Sequence, residues 1–146
     1  MIDKNIIKNN FSVSSCGYDN VAILQKNMAE KIFALIKKNN PQNIIDIGCG
    51  TGYLTKLLAE RFPDAQVIGI DIAPGMIDVA KKGKSFGNLN YEVGDGETLN
   101  FDDKSFDLVV SSASLQWMNA EKAIAEVSRV LKPAGEFYVS TFGPET

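Results

Sequence analysis

Asn43-Ile-Ile-Asp-Ile-Gly-Cys-Gly-Thr-Gly52 and the residues behind it, Tyr53-Leu-Thr-Lys-Leu-Leu-Ala-Glu-Arg-Phe62, decide the fold. The short Ile-rich run at 43–47 reads as a buried strand. Gly48, Gly50 and Gly52 let the backbone turn tightly and approach a ligand without obstruction by a Cβ. Leu54, Leu57, Leu58 and Phe62 then recur at helical spacing. Strand, glycine turn and helix together open a βαβ unit.

Working outward, the same pattern repeats. Upstream, Val21, Leu24, Met28, Ile32, Leu35 and Ile36 predict one apolar face of a helix over 19–38, ended by Asn39-Asn40-Pro41. Downstream, 65–71 is a second strand, and Pro74 opens a helix carrying Met76, Ile77, Val79 and Ala80. Strands follow at 90–93 and 106–111, then a helix over 120–131 capped by Asn119. Lys132-Pro-Ala-Gly135 is read as a turn into a fifth strand at 136–142. Alternating strands and helices give an α/β fold, a doubly wound and mostly parallel sheet covered on both faces. Ligands of such sheets sit outside the carboxyl ends of the strands.

Composition bounds the chemistry. A chain of 146 residues with 45% hydrophobic and 23% charged residues is one ordinary globular domain. Residues 1–17, rich in Asn and Ser, are expected to be a mobile N-terminal segment, and 18–146 the domain proper. Net charge is −3, so no basic field is present to hold a nucleic acid. The absence of histidine excludes Ser-His-Asp and Cys-His catalysis and His-ligated metal; no metal is expected. Cys16 and Cys49 form no C-x-x-C pair, and neither a secretory signal nor a membrane span is read, so a cytoplasmic location is expected.

Three motifs lie at the carboxyl edge. Asp71 closes the second strand 19 residues beyond Gly52, where a carboxylate can accept both hydroxyls of a ribose. Asp46, two residues ahead of Gly48, would repel a pyrophosphate and attract a ligand carrying an ammonium and a sulfonium. The spacing Gly-x-Gly-x-Gly also departs from the dinucleotide fingerprint. Together these favour S-adenosylmethionine over NAD. Asp95, in Gly94-Asp-Gly-Glu97, can accept from an adenine amino group, whereas Glu97 is read as a helix-start residue. The small residues Ser111-Ser-Ala-Ser114 leave room for a methionine tail. Trp117 is read equally as a pocket wall or a core aromatic, Gln116 as a candidate substrate contact, and Cys49 as a small packing residue.

In order, D-I-G-C-G-T-G, I-D-I-A-P-G-M, G-D-G-E, F-D-L-V-V-S-S-A-S-L-Q-W and R-V-L-K-P-A-G-E-F resemble the class I S-adenosylmethionine-dependent methyltransferases. Within them, L-Q-W at 115–117, the ending F-Y-V-S-T-F-G-P-E-T, and Tyr18-Asp19 with Gln25 are most similar to the malonyl-[acyl-carrier protein] O-methyltransferases of biotin synthesis. The trans-aconitate methyltransferases share a similar A-x-L-Q-W. The resemblance implies that Asp46, Gly48 and Gly50 hold the methionine end, Asp71 the ribose, and Asp95 with Gly96 the adenine. Cys49, Gly52, Ile72 and Met76 also count among the cofactor-binding positions, and Ser111 lies beneath the methionine tail. Tyr18 would close over the cofactor and touch the substrate carboxyl group, with Gln116 and Trp117 as further substrate contacts.

No residue is assigned as a catalytic base. The resemblance implies a Rossmann-like sheet lacking its last two strands, with Ala134 at a position the family fills with Gly. The substrate implied is a carboxylate, either a small molecule or one linked to an acyl-carrier protein. Alternatives are a trans-aconitate-like or other small-molecule methyltransferase, an inactive cofactor-binding fragment and, most remotely, a nucleotide-linked oxidoreductase. The open fifth strand also predicts a homodimer.

Overall fold

A computed structural model describes residues 15–141, with side chains from Val21 onward. Its elements in chain order are α1 (Ser15–Leu35), β1 (Asn43–Ile47), α2 (Tyr53–Arg61), β2 (Gln66–Asp71), α3 (Pro74–Lys82), β3 (Leu89–Val93), β4 (Phe106–Ser112), a 3-10 turn (Leu115–Trp117), α4 (Ala120–Val130) and β5 (Leu131–Ser140). The five strands form one sheet in the order β3-β2-β1-β4-β5, and every pairing is parallel. The chain order reverses direction between β1 and β4, which creates the crevice at their carboxyl ends.

Two apolar layers explain why Ile, Val and Leu run almost uninterrupted through the central strands. Ile44, Val67, Leu108 and Val110 pack under α1 and α2 with Ala29, Ile32, Leu54 and Leu58. Ile45, Ile47, Ile70 and Val109 face the opposite way, against Val127 and Val130 of α4. A strand covered on both faces needs apolar residues at consecutive positions, and β1 is buried from Ile44 to Ile47. The sequence expectations hold at this level.

The differences are local and have causes. The first helix begins at Ser15, inside the segment expected to be mobile, and residues 1–14 lie outside the described residues. It ends at Leu35 rather than Lys38, where Arg61 donates to the carbonyls of Phe33 and Ile36 (2.7 and 2.9 Å) and replaces the missing next turn. Arg61 is also sandwiched between the rings of Phe33 and Phe62, 4.9 Å from each. Of the predicted apolar face, Ile32 and Ile36 are buried, but Leu24 and Leu35 are exposed and Ala29 takes the inner position. β5 starts at Leu131, so the predicted turn 132–135 lies inside it as a bulge: the ladder steps from Phe106↔Leu131 to Leu108↔Glu136. Ala134 adopts φ 66° there, the left-handed conformation that glycine would take without strain.

Candidate functional site

The glycine loop, the end of β2, the Gly94–Glu97 turn and the run after β4 all fall on the carboxyl edge of the sheet, and Asp71 joins them. One of its oxygens accepts from Gly50 N–H and the other from Ala73 N–H, each at 2.9 Å, while its carbonyl accepts from Gly94 N–H at 3.0 Å. The glycine loop, the start of α3 and the end of β3 thus meet at one half-buried carboxylate with lone pairs to spare. A Cβ placed on Gly50 would meet nothing within 4 Å, so open space lies over the loop beside that carboxylate. Gly48, at φ 75°, is different: a Cβ there would run into Ser114, whose Oγ donates to Gly48 O at 3.0 Å.

Loop hydrogen bonding decides which ligand fits. Gly48 and Cys49 N–H both donate to Ile70 O, Gly50 N–H to Asp71 and Gly52 N–H to Cys49 O. A pyrophosphate is bound by free N–H groups at such a turn, and these four are committed within the chain. An adenosyl group carrying a cation needs a carboxylate for its ribose and negative potential for its charge, and this edge supplies both. The residues present therefore fit S-adenosyl-L-methionine.

Asp46 takes a different position from the one expected. It is 1% exposed, beneath the loop, and its carboxylate accepts from Thr55 Oγ1 at 2.9 Å. Burial, opposed by the Thr55 hydrogen bond and reinforced by Asp71, pushes its pKa up to about 7. Enclosed in this way, Asp46 can reach a ligand over the loop only through its field, and burial disfavours its charged form. The case against a phosphate ligand rests instead on the committed N–H groups. Burial, with Asp46 and Asp71 nearby, raises the Cys49 thiol far above its ordinary range, in keeping with a packing residue.

Other expectations are refined. Ser111 is buried and donates to Ile47 O at 3.0 Å, so it is floor beneath the site. In the run behind it, Ser114 is tied to Gly48 and Ser112 pairs with Ser140. Asp95 folds its own turn, accepting from Glu97 N–H at 2.9 Å. Glu97 starts no helix; its carboxylate accepts from Asn119 N–H at 3.1 Å and pins this turn to the loop before α4. Gly96 is buried against Ile47 and Met118, where a Cβ would meet each at 2.8 Å. Ile72 and Met76 leave apolar surface exposed beside Asp71 (38% and 43%). Gln116 spans Ala113 O and the Thr141 hydroxyl, both at 2.8 Å, and Trp117 is half-buried in the 3-10 turn. The Tyr18 side chain lies outside the described residues.

A cavity of about 80 Å³ lined by Ile70, Val93, Gly94 and Asp95 borders this edge. A larger one, about 400 Å³, opens at the other end of the sheet between Asn43, Gln66, Asn90 and Phe101, away from Asp71 and the glycine loop. Sequence reasoning missed Thr55 and Tyr91, which lie beneath the loop, and read Ser114 as leaving room where it in fact ties the loop at Gly48. Thr55 was legible in principle: the first turn of a helix after such a loop packs back on the strand end. Among the described residues no metal-binding cluster occurs, and no helix is long and apolar enough to cross a membrane.

Residues 45–139 match the family described as Methyltransferase domain. The chain is 40% identical over 149 residues to the malonyl-[acyl-carrier protein] O-methyltransferase of Anoxybacillus flavithermus, covering all of this chain and 56% of that protein. It is 39% identical over 156 residues to the biotin biosynthesis bifunctional protein BioHC of Teredinibacter turnerae, covering 98% of this chain and 27% of that one. Among solved structures, an S-adenosylmethionine-dependent methyltransferase from Mesorhizobium loti superposes with a TM-score of 0.70 at 28% identity, over 80% of this chain and 55% of that one. The chain spans about half the length of the curated malonyl-[acyl-carrier protein] O-methyltransferases it matches.

Proposed function

From the premise that the chain belongs to the methyltransferase domain family, we propose that it methylates a carboxylate, with malonyl-[acyl-carrier protein] in biotin synthesis as the acceptor. S-adenosyl-L-methionine is the cofactor that goes with this domain and, when bound, supplies an electrophilic methyl group on a sulfonium. Asp71 holds the ribose through the lone pairs that Gly50 and Ala73 leave free. The loop at Gly48, Cys49, Gly50 and Gly52 takes the methionine end, with Asp46 and Ser111 beneath it. Asp95 and Gly96 take the adenine, and the exposed faces of Ile72 and Met76 flank it. Tyr18, Gln116 and Trp117 contact the acceptor.

A carboxylate acceptor is already ionised at neutral pH, so the reaction needs no general base, and a chain without histidine is suited to it. The residues contribute position and exclusion of water. The name carried by relatives near 40% identity supports the carrier-protein substrate. A cytoplasmic location and absence of nucleic-acid partners belong to the same reading, in keeping with the net charge of −3. We further infer that two copies pair through β5, which among the described strands is bonded only to β4 and has Val139 41% exposed.

The observation that carries the proposal is the Asp71 carboxylate, held by two N–H donors beside the open space over Gly50. Calorimetry with S-adenosylhomocysteine tests it. Asp71→Ala should weaken binding by about 2–4 kcal/mol, the loss of two charge-assisted hydrogen bonds. Unchanged affinity would refute the ribose assignment. Methylation of malonyl-carrier protein in preference to trans-aconitate tests the acceptor, and the reverse preference would select the small-molecule alternative.

A further inference from the structure

The buried residues beneath the glycine loop are more specifically arranged than packing requires. Asp46 on β1 stands in register with Gly69 on β2, and Gly69 with Tyr91 on β3. In a parallel sheet residues in register point to the same face, so these three form a row across three strands. The middle member has no side chain. The Tyr91 ring lies over that bare backbone: a Cβ on Gly69 would meet its Cδ1 at 2.9 Å and its Cε1 at 3.0 Å. Its hydroxyl arrives directly under Gly52, where an added Cβ would also collide with it.

There the hydroxyl is sealed from water, and Tyr91 is 9% exposed, yet Oη makes no hydrogen bond. An unpaired buried hydroxyl is unfavourable, and phenylalanine would fill the same volume without it. Its neighbour is Thr55, whose Oγ1 donates its proton to Asp46 and keeps lone pairs to accept another. The spare donor, the hydroxyl between and the buried carboxyl thus lie in sequence.

We propose that Tyr91 is a positioning residue whose hydroxyl is held in reserve for the Asp46 carboxylate, so that a Tyr91–Thr55–Asp46 relay closes when a cationic cofactor binds over the loop. The inference rests on the cofactor site described above. With the loop empty, a buried carboxyl is well served by keeping its proton and one hydrogen bond. A sulfonium above it favours the ionised form, and the ionised form needs more donors than Thr55 alone. Tyr91 donating to Thr55 polarises the Thr55 hydroxyl toward Asp46 and strengthens that bond. The proton leaves Asp46 for solvent, and no other bond is made or broken.

Asp46 is faced by Asp71, Cys49 and Tyr91 and, toward α1, by apolar side chains. Asp71 on β2 is the charged one and works against ionisation. Burial keeps Tyr91 protonated, its pKa pushed up to about 12, and Cys49 higher still. The side toward α1 is lined by Ala29 and Ile32. Tyr91 and Cys49 thus keep their protons while Asp46 gives up its own.

Calorimetric titration of the full chain with S-adenosylmethionine at pH 7, in two buffers of different ionisation enthalpy, counts the protons released. The unaltered chain should release a measurable fraction of a proton, given up by the Asp46 carboxyl. Asp46→Asn should release none, and S-adenosylhomocysteine, which lacks the sulfonium, should release fewer than S-adenosylmethionine. Tyr91→Phe should bind S-adenosylmethionine about tenfold more weakly, the effect of one hydrogen bond to a charged group. It should also release less than half as much proton as the unaltered chain, while its ligand-free melting temperature stays equal or rises. A Tyr91→Phe variant with unchanged affinity and proton release overturns the relay, as does one that loses ligand-free stability with release unchanged. Absence of binding by the unaltered chain overturns the cofactor site itself, and the relay with it.

Discussion

Asp46→Asn is expected to make the chain more stable, by an amount that grows with pH. Asp46 is 1% exposed, with Thr55 as its hydrogen-bond donor and the Asp71 carboxylate adding repulsion. Folding therefore raises its pKa from 3.8 to about 7. Because the folded pKa is the higher one, the folded state holds the proton more tightly than the unfolded chain does. The contribution of this group to stability is greatest below the unfolded value, falls as pH rises toward 7 and is constant above it. Asparagine carries no charge at any of these pH values and keeps an oxygen that accepts from Thr55.

The stability of the variant relative to the natural chain should therefore be about 2–3 kcal/mol greater at pH 8 than at pH 5, at 1.36 kcal/mol for each pH step between 5 and 7. Urea unfolding of both proteins at the two pH values measures this directly, provided the denaturant slopes agree. A difference that is the same at both pH values, or larger at pH 5, would mean that Asp46 is ionised throughout, and the account of its burial would fail.

Four further outcomes follow from particular contacts. Arg61→Ala removes two hydrogen bonds to the end of α1 and the stacking on Phe33 and Phe62. It should lower stability by about 1–3 kcal/mol, and a calorimetric melting temperature equal to that of the natural chain would contradict the capping role. Gly50→Ala forces φ 56° on a residue with a Cβ but meets no neighbour. It should cost about 1–2 kcal/mol of stability and reduce S-adenosylhomocysteine affinity by more than that, because the methyl group enters the open space over the loop; undiminished affinity would place the cofactor elsewhere. Ala134→Gly relieves φ 66° in the β5 bulge and should stabilise by up to about 1 kcal/mol in urea unfolding, whereas destabilisation would locate no strain there. Val139→Lys places a charge on the open fifth strand and should move sedimentation at micromolar concentration toward monomer; a natural chain already monomeric at millimolar concentration would dismiss pairing through β5.

The sequence alone determined the class of fold and the edge on which the site lies. β1 to β4 fall within a residue or so of their predicted bounds; for the central β1 the reason is that a strand covered on both faces must be apolar at consecutive positions. The placement of Asp71 and Asp95 at the carboxyl edge was legible because one closes a strand and the other follows one within two residues. Helix and strand ends near α1 and β5 were not. The helix stops where Arg61 arrives from a separate element, and the fifth strand begins early because pairing with Phe106 draws Leu131 into the sheet before the bulge.

Tertiary structure decided what each site residue can do. Asp46 reads in sequence as a charge facing a ligand, but the layers above and below enclose it, and burial, reinforced by Asp71 and opposed by Thr55, moves its proton equilibrium toward neutrality. Glu97 reads as a helix start, yet its partner is Asn119, 22 residues away. Tyr91 reads as an ordinary strand aromatic; register with Gly69 and Asp46 brings its hydroxyl beneath the loop. Local pattern records which backbone a residue prefers and which face it turns inward. Desolvation and hydrogen-bond partners depend on groups far apart in the chain, so they exist only once the strands have been laid side by side.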